Sequence, residues 1–153
     1  MGKLLAVSVS ESKGTRKRNV PEAEIKTAYG LCSDAHAGDW HRQVSLLAGE
    51  SIARMREMGL EVSAGDFAEN LTTTGIELFS LPLGTRLAVG EDVLLEVSQI
   101  GKECHTRCAI YYQAGDCVMP REGIFAKVLR GGMVRPGDQV TVMEGKRSEG
   151  NAC

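Results

Sequence analysis

The chain has 153 residues, enough for one domain with an adequate core. A net charge of −2 and a pI near 5.9 give no global field toward nucleic acid or an anionic membrane surface. The apolar start, Leu4-Leu5-Ala6-Val7, is too short for a signal h-region or a spanning helix, so a cytoplasmic protein with neither nucleic-acid nor membrane partner is expected.

In chain order, Leu4 to Val9 reads as a first strand. Glu11 to Asn19 is polar and cationic, with Lys13, Arg16, Lys17 and Arg18 clustered, and reads as a loop that is either solvated or a phosphate-binding edge. Residues 22–27 alternate with period two and predict a half-buried strand. Residues 30–42 carry glycine, aspartate and histidine without periodicity and predict a loop. Ala48, Ile52 and Met55 share a helical face, Glu50 precedes Arg54 by four, and Gly59 is placed to end the helix, which predicts a helix over 47–58. Residues 87–89 and 93–100 around Gly90-Glu91-Asp92 predict a hairpin. A second helix is predicted over 121–130, with Pro120 near its start, Ile124, Phe125, Val128 and Leu129 as its apolar face and Gly131-Gly132 as its stop. Arg135-Pro136-Gly137-Asp138 predicts a turn into a strand over 139–143, and the polar tail 144–153 is expected to be disordered. Strands outnumber helices and lie at both ends, so the two ends are expected to pair within one mainly β, barrel-like sheet with a few short helices.

Three segments carry the chemistry. Five cysteines at 32, 104, 108, 117 and 153 are odd in number and irregular in spacing, which points to free thiols or a metal site rather than a disulfide framework. Within Gly101–Cys108 lie two thiols, His105, and the cations Lys102 and Arg107; opposing charge favours the thiolate, which is both nucleophile and soft metal ligand. Cys104 and Cys108 would stand about 13 Å apart along a strand but about 6 Å apart along the axis of a helical turn. One ion is therefore shared only if the segment turns. Three readings stay open: a structural zinc on Cys104, His105, Cys108 and Cys117, idle buried thiols, and a functional thiol, which the neighbouring cations favour. The second segment, Asp34 to Leu47, holds His36, His41, two aspartates and Arg42; it suits a metal or an anion, although a hydrogen-bonded loop is the commoner outcome. The third, Asp66 to Gly75, offers Asn70, Thr72 and Thr73 as orienters of a small polar ligand, or as ordinary turn and cap residues.

Taken together and in this order, S-x-x-K-G-T-x-K over 10–17, D-A-H-A-G-D-W-H-R-Q-V-S-L-L within 30–47, F-A-E-N-L-T-T-T-G over 67–75, R-C-A-I at 107–110 and the closing P-G-D-x-V-x-V resemble the MOSC domain. This is the C-terminal module of molybdenum-cofactor sulfurases, which also occurs as small stand-alone bacterial proteins. The resemblance runs over residues 4–143 and implies one domain over 1–143 with a β-barrel-like fold and a cleft for molybdenum cofactor (molybdopterin), not pyridoxal phosphate. It implies Cys108 as the catalytic thiol and molybdenum ligand, with Cys104 as its rival. It implies Asn70, Thr72 and Thr73 at the pterin, Lys13 and Lys17 at its phosphate, His36 and Arg42 lining the cleft, and Arg107 beside the thiol. The activity implied is reduction of N-hydroxylated bases or related N–O compounds, with electrons from a partner flavoprotein or iron–sulfur protein. A carrier that delivers cofactor or sulfur to a recipient protein is the competing function, and a barrel with structural zinc or no metal the third.

Overall fold

A computed structural model describes residues 2–10, 17–32, 34, 37–38, 43–59, 61–67, 69–101 and 122–143. In chain order these form β1 (Gly2–Val9), β2 (Arg18–Val20), β3 (Ala23–Lys26), β4 (Gly30–Leu31), β5 (Val44–Ala48), α1 (Gly49–Glu57), β6 (Leu71–Thr74), a 3-10 turn (Leu78–Ser80), β7 (Arg86–Val89), β8 (Val93–Ile100), β9 (Ile124–Arg130), β10 (Gly132–Val134) and β11 (Gln139–Met143). Seven strands close into a barrel in the order β1-β11-β7-β8-β9-β5-β6, and β6 returns to β1; β2 extends β1 beyond the seam. The two chain ends meet through Gly2 opposite Val140 and Lys3 opposite Gln139, as the sequence predicts. A small sheet, β10-β3-β4, caps the wall and adds Ile25, Leu31 and Val134 to the same core.

Period-two alternation builds the barrel interior. Val93, Leu95 and Val97 of β8 point inward, and Leu87 and Val89 of β7 meet them. In β1 the alternation changes phase: Leu4 points in, then Val7 and Val9. The register against β6 slips there, with Leu4 opposite Thr73 and Ala6 opposite Thr72, so Leu5 is the extra residue of a bulge and stands half-exposed. Every barrel pairing is antiparallel except β5 with β6. A parallel pair needs a crossover, and α1 supplies it.

The helix lies on the outside of the barrel. Ile52 and Met55 pack with Leu47, Val62, Phe67 and Phe125 in a second apolar cluster. Gly59 follows α1 with φ +93, the left-handed conformation that a helix stop favours. Residues 47–48, expected as the start of this helix, are instead the end of β5. The expected loop 11–19 likewise gives way at Arg18 to β2, and Gly30–Leu31 pairs with β3.

The expected helix over 121–130 is corrected more sharply: Ile124–Arg130 is strand β9, paired with both β5 and β8. Ile124, Ala126 and Val128 face the barrel interior, while Phe125 faces α1 on the other side. A strand covered on both faces shows a continuous apolar run, and with Leu129 it imitates a helical stripe. Gly131 does not stop a helix; it lets the chain cross β3, since a Cβ there would lie 2.1 Å from the carbonyl oxygen of Ile25. The expected tail, 144–153, lies outside the described residues. Phe125 joins the barrel wall to the outer layer, so Phe125→Ala is expected to cost about 3–5 kcal/mol in denaturant unfolding, against well under half of that for the partly exposed Leu129→Ala.

Candidate functional site

The polar residues of the third sequence segment converge where β6 begins. Asn70, fully buried, closes a knot between three strands. Its amide oxygen accepts from the Ser45 backbone N–H (3.0 Å) and hydroxyl (3.1 Å), and its amide nitrogen donates to the Ser8 carbonyl (3.1 Å). Its backbone N–H reaches Ser45, and its carbonyl accepts from Ser8 N–H at 2.8 Å. β1 and β5 are thereby stitched to the first residues of β6.

Beside this knot lies a buried ion pair. Lys17 Nζ donates to Asp34 Oδ1 at 2.8 Å and to Ser10 Oγ at 3.0 Å, and both charged side chains are wholly withdrawn from water. Ser10 N–H also donates to Asp34 Oδ1 (3.0 Å), and the Asn70 side chain donates to the same carboxylate. Burial alone would push the Asp34 carboxyl up. The hydrogen bonds from Lys17, Ser10 and Asn70, with the charge on Lys17, outweigh burial and hold it below its ordinary value.

A second buried carboxyl anchors the approach to β6. Glu69 accepts from Gly65 N–H (2.9 Å), Phe67 N–H (3.2 Å) and the Thr72 hydroxyl (2.8 Å). Burial pushes its pKa up, against the pull of those three donors. Gly65 joins the two carboxyl centres, because its carbonyl accepts from Lys17 N–H at 2.8 Å. Glycine is required there twice over: φ is +93, and a Cβ would lie 2.4 Å from the Lys17 carbonyl oxygen.

Of the residues the sequence singles out, Lys17, Asn70 and Thr72 thus fall within one connected network. Thr73 does not join it. Successive strand side chains alternate, so Thr72 turns outward to Glu69 while Thr73, opposite Leu4 and Ala48, turns into the barrel. Its hydroxyl is buried and, among the described residues, has no hydrogen-bond partner. Lys13, His36, Arg42, Cys104, Arg107 and Cys108 lie outside the described residues, as do His105 and Cys117 of the zinc reading. Among the described residues no group of three His, Cys, Asp or Glu side chains is placed to hold a metal ion. Sequence reasoning passed over Ser45 and Glu69 and took Asp34 only as one of two loop aspartates for a metal or an anion, not as the partner of Lys17. All three stand inside the quoted motifs, and the signal that finds them is a charged or hydroxyl residue flanked by apolar runs, where burial forces a partner.

The anchors of the cysteine segment are near this network. Leu46 is paired with Leu71 on one side and Ile124 on the other, so the starts of β6 and β9 lie two strand spacings apart, about 10 Å, at one level of the barrel. The segment leaves at Gly101 and rejoins by Gly123, where Gly101 N–H donates to the Gly123 carbonyl at 2.6 Å.

Residues 33–141 match the family model described as MOSC domain. The chain belongs to the MOSC domain family. Solved structures agree on the fold. The YuaD protein from Bacillus subtilis aligns with a TM-score of 0.75 at 17% identity, covering 92% of this chain and 94% of that one. YiiM from Geobacillus stearothermophilus aligns at 0.70 and 19% identity, covering 94% and 76%. YiiM from Escherichia coli aligns at 0.65 and 20%, covering 95% and 72%. No curated protein matches the chain. No helix among the described residues is long and apolar enough to cross a membrane.

Two predictions follow from the polar network of this MOSC domain. Removing one partner of the Lys17–Asp34 pair strands a buried charge, so Asp34→Asn or Lys17→Met is expected to cost about 3–5 kcal/mol; the double variant recovers most of this, as a double-mutant cycle by denaturant unfolding would read. The two carboxyls also give stability a pH dependence of opposite signs. The Asp34 contribution, with a depressed folded pKa, is present above the ordinary carboxylate pKa and lost as pH falls through the depressed value. The Glu69 contribution, with a raised folded pKa, is complete below its ordinary value and lost as pH rises through the raised one. Unfolding temperature measured against pH should therefore lose part of its acid decline in Asp34→Asn and part of its decline above the ordinary glutamate range in Glu69→Gln.

Proposed function

We propose that this MOSC domain binds molybdenum cofactor, with a cysteine of the segment between β8 and β9 as the protein's ligand to the metal. The observation that carries the reading is the buried polar network at the start of β6, Asn70 with the Lys17–Asp34 pair, two strand spacings from the start of β9, where the segment that bears Cys104 and Cys108 rejoins the barrel. The donor set fits the group. A cofactor that brings its own sulfur ligands asks one soft donor of the protein, which Cys108 supplies, with Cys104 as the rival. Its phosphate asks for cations at the 10–17 stretch. Lys13 is assigned that contact. Lys17, already neutralised by Asp34 and bonded to Ser10, fixes the two ends of the stretch rather than meeting the phosphate itself. His36, Arg42 and Arg107 are assigned to the cleft wall; Asn70 and Thr72, whose polar groups are taken up by Ser45, Ser8 and Glu69, support that wall from within, and Thr73, turned into the barrel, is left out of the pterin contact the resemblance implies.

When bound, the cofactor supplies a centre that exchanges two electrons. The chain's own part is to hold it, exclude water and admit substrate. The reaction we assign is reduction of an N-hydroxylated base: the N–O bond breaks, two electrons arrive from an external flavoprotein or iron–sulfur protein, and two protons complete the amine and one water. Delivery of cofactor or sulfur to a recipient protein is the competing use of the same site, and a barrel holding structural zinc the third reading.

Metal analysis of protein made in cofactor-competent cells tests this. Stoichiometric molybdenum is expected in the wild type, lost in Cys108→Ala and kept in Cys104→Ala. Zinc that is insensitive to cofactor biosynthesis would sink the proposal. Turnover of a hydroxylamino compound with an artificial electron donor then marks a reductase, whereas bound molybdenum without turnover marks a carrier.

A further inference from the structure

A short turn covers the buried Glu69 carboxyl. The chain before Glu69 is fixed at two points, since Val62 and Phe67 both sit in the apolar cluster shared with α1. Between them, residues 63–66 turn through Asp66 N–H to the Ser63 carbonyl (3.1 Å) and Ser63 N–H to the Asp66 carboxylate (2.9 Å). These bonds hold the shape of the turn but not its place. Ser63 is exposed and Ala64 half-buried, so the turn buries little apolar surface of its own. Its place is set at Gly65, whose N–H donates to Glu69 Oε2 (2.9 Å) and whose carbonyl accepts from Lys17 N–H (2.8 Å).

The two charge states of Glu69 treat this arrangement differently. A neutral carboxyl satisfies every neighbour: Oε1 accepts from Phe67 N–H, while Oε2 accepts from Gly65 N–H and gives its own proton to the Thr72 oxygen at 2.8 Å. The ionised carboxylate keeps the same neighbours but carries a full charge that has no exposure to water. Among the described residues no cation bonds it. Lys17, across Gly65, gives its ammonium to Asp34 and Ser10. Arg56 of α1 donates to the Val62 carbonyl at 2.7 Å, and the other charges of that helix, Glu50, Arg54 and Glu57, stand at exposed positions. Arg18 of β2 is exposed, and Asp66 on the turn is itself an anion. Ser8 of β1 and Asn19 of β2, which flank Gly65, are uncharged, as are Thr72 of β6 and all of β5. Asn70, next in sequence, is bonded to three strands and cannot follow Glu69 toward water. The turn can.

We propose that the turn 63–66 is a proton-controlled latch: it closes over Glu69 while that carboxyl is neutral, and it lifts as the carboxyl ionises, releasing the Lys17 peptide. The device goes beyond the cofactor reading and needs no cofactor. Burial, which pushes the Glu69 pKa up, fixes the sign. In the lifted state Glu69 meets water and titrates at its ordinary value. Closure is therefore complete below that value, weakens as pH rises from it to the raised one, and is constant above. The Lys17 side chain keeps Asp34, so the latch releases a main-chain hold on this stretch and not the buried ion pair.

Amide hydrogen exchange read by NMR as protection factors, so that the intrinsic pH dependence cancels, tests this in the wild type, Glu69→Gln and Asp66→Asn. Protection of the Gly65 and Lys17 amides is expected to fall by about tenfold per pH unit between the ordinary and the raised value. The Ser8 and Ser45 amides, bonded to Asn70, should keep theirs. Glu69→Gln, permanently neutral, should hold the Gly65 and Lys17 amides at one level across the range. Asp66→Asn, which removes the other carboxylate of the turn, should leave the wild-type fall unchanged. Protection that does not vary with pH overturns the proposal. So does a fall shared equally by Ser8 and Ser45, which marks global unfolding, or one that persists in Glu69→Gln. Should Glu69→Gln fail to fold, the carboxyl carbon resonance of Glu69 is titrated in the wild type: its midpoint must coincide with the pH at which the fall levels off. A midpoint at or below the ordinary glutamate value overturns the proposal.

Discussion

The parallel pairing of β5 with β6 shapes everything around it. In an otherwise antiparallel barrel, one parallel step cannot be closed by a hairpin and forces a crossover. The crossover is α1 and the stretch after it, and their apolar residues need cover. They find it on the outer face of β5 and β9, which is why Leu47 and Phe125 are buried on the side a simple barrel would leave wet. The same step leaves the first residues of β6 entering the sheet between β1 and β5 without the regular partners of a hairpin. Asn70 and Ser45 satisfy those backbone groups, so the polar knot at the site is a consequence of topology before it is a matter of chemistry.

Once that knot is buried, electrostatics dictates its composition. An ammonium wholly withdrawn from water requires an anion in hydrogen-bond contact, and Asp34 provides it from a different stretch of chain. Glu69 has no cation as a hydrogen-bond partner among the described residues and is met by two backbone N–H groups and a hydroxyl, the arrangement a buried carboxyl needs if it is to tolerate its position. The two carboxyls are pushed in opposite directions although they are joined through Gly65 and Lys17. The difference lies in deeper burial at Glu69 and in the hydrogen bonds at Asp34, that from Lys17 foremost, to which the lysine charge adds a smaller part.

Much of this was legible in the sequence, and where it was not the reason is physical. Alternation exposed β3, which shows one face to the core and the other to water, while short apolar runs and the turns at Gly90 and Pro136-Gly137 marked β1, β7, β8 and β11. It failed at β5 and β9, which are covered on both sides: Val44–Ala48 is buried at every position, and Ile124, Phe125 and Ala126 are buried in succession. Continuous burial erases the period that distinguishes a strand from a helix. β2 and β4 were missed for another reason, being two or three residues long and defined by partners rather than by pattern. At the site, residue type pointed to Lys17, Asn70 and Thr72 but not to their partners. Asp34 and Glu69 sit in the quoted motifs as ordinary loop acids, and only tertiary pairing separates a buried counter-ion from a solvated one.

That distinction changes what a lysine in a basic cluster means. Lys13, Arg16, Lys17 and Arg18 read alike as sequence, four cations on a polar stretch. Folding takes one of them out of the set, since Lys17 is buried against Asp34 and its ammonium serves Ser10 as well. A cation so placed cannot reach out to an arriving phosphate without breaking a desolvated ion pair, a step costing several kcal/mol. The labour proposed for an anion site of this kind is therefore divided: the buried Lys17–Asp34 pair holds the two ends of the 10–17 stretch, and the contact is left to Lys13. By the same logic a Lys17→Arg change, conservative on paper, would be poorly tolerated, because a planar guanidinium with five donors does not fit a pocket built for one ammonium bonded to one carboxylate and one hydroxyl.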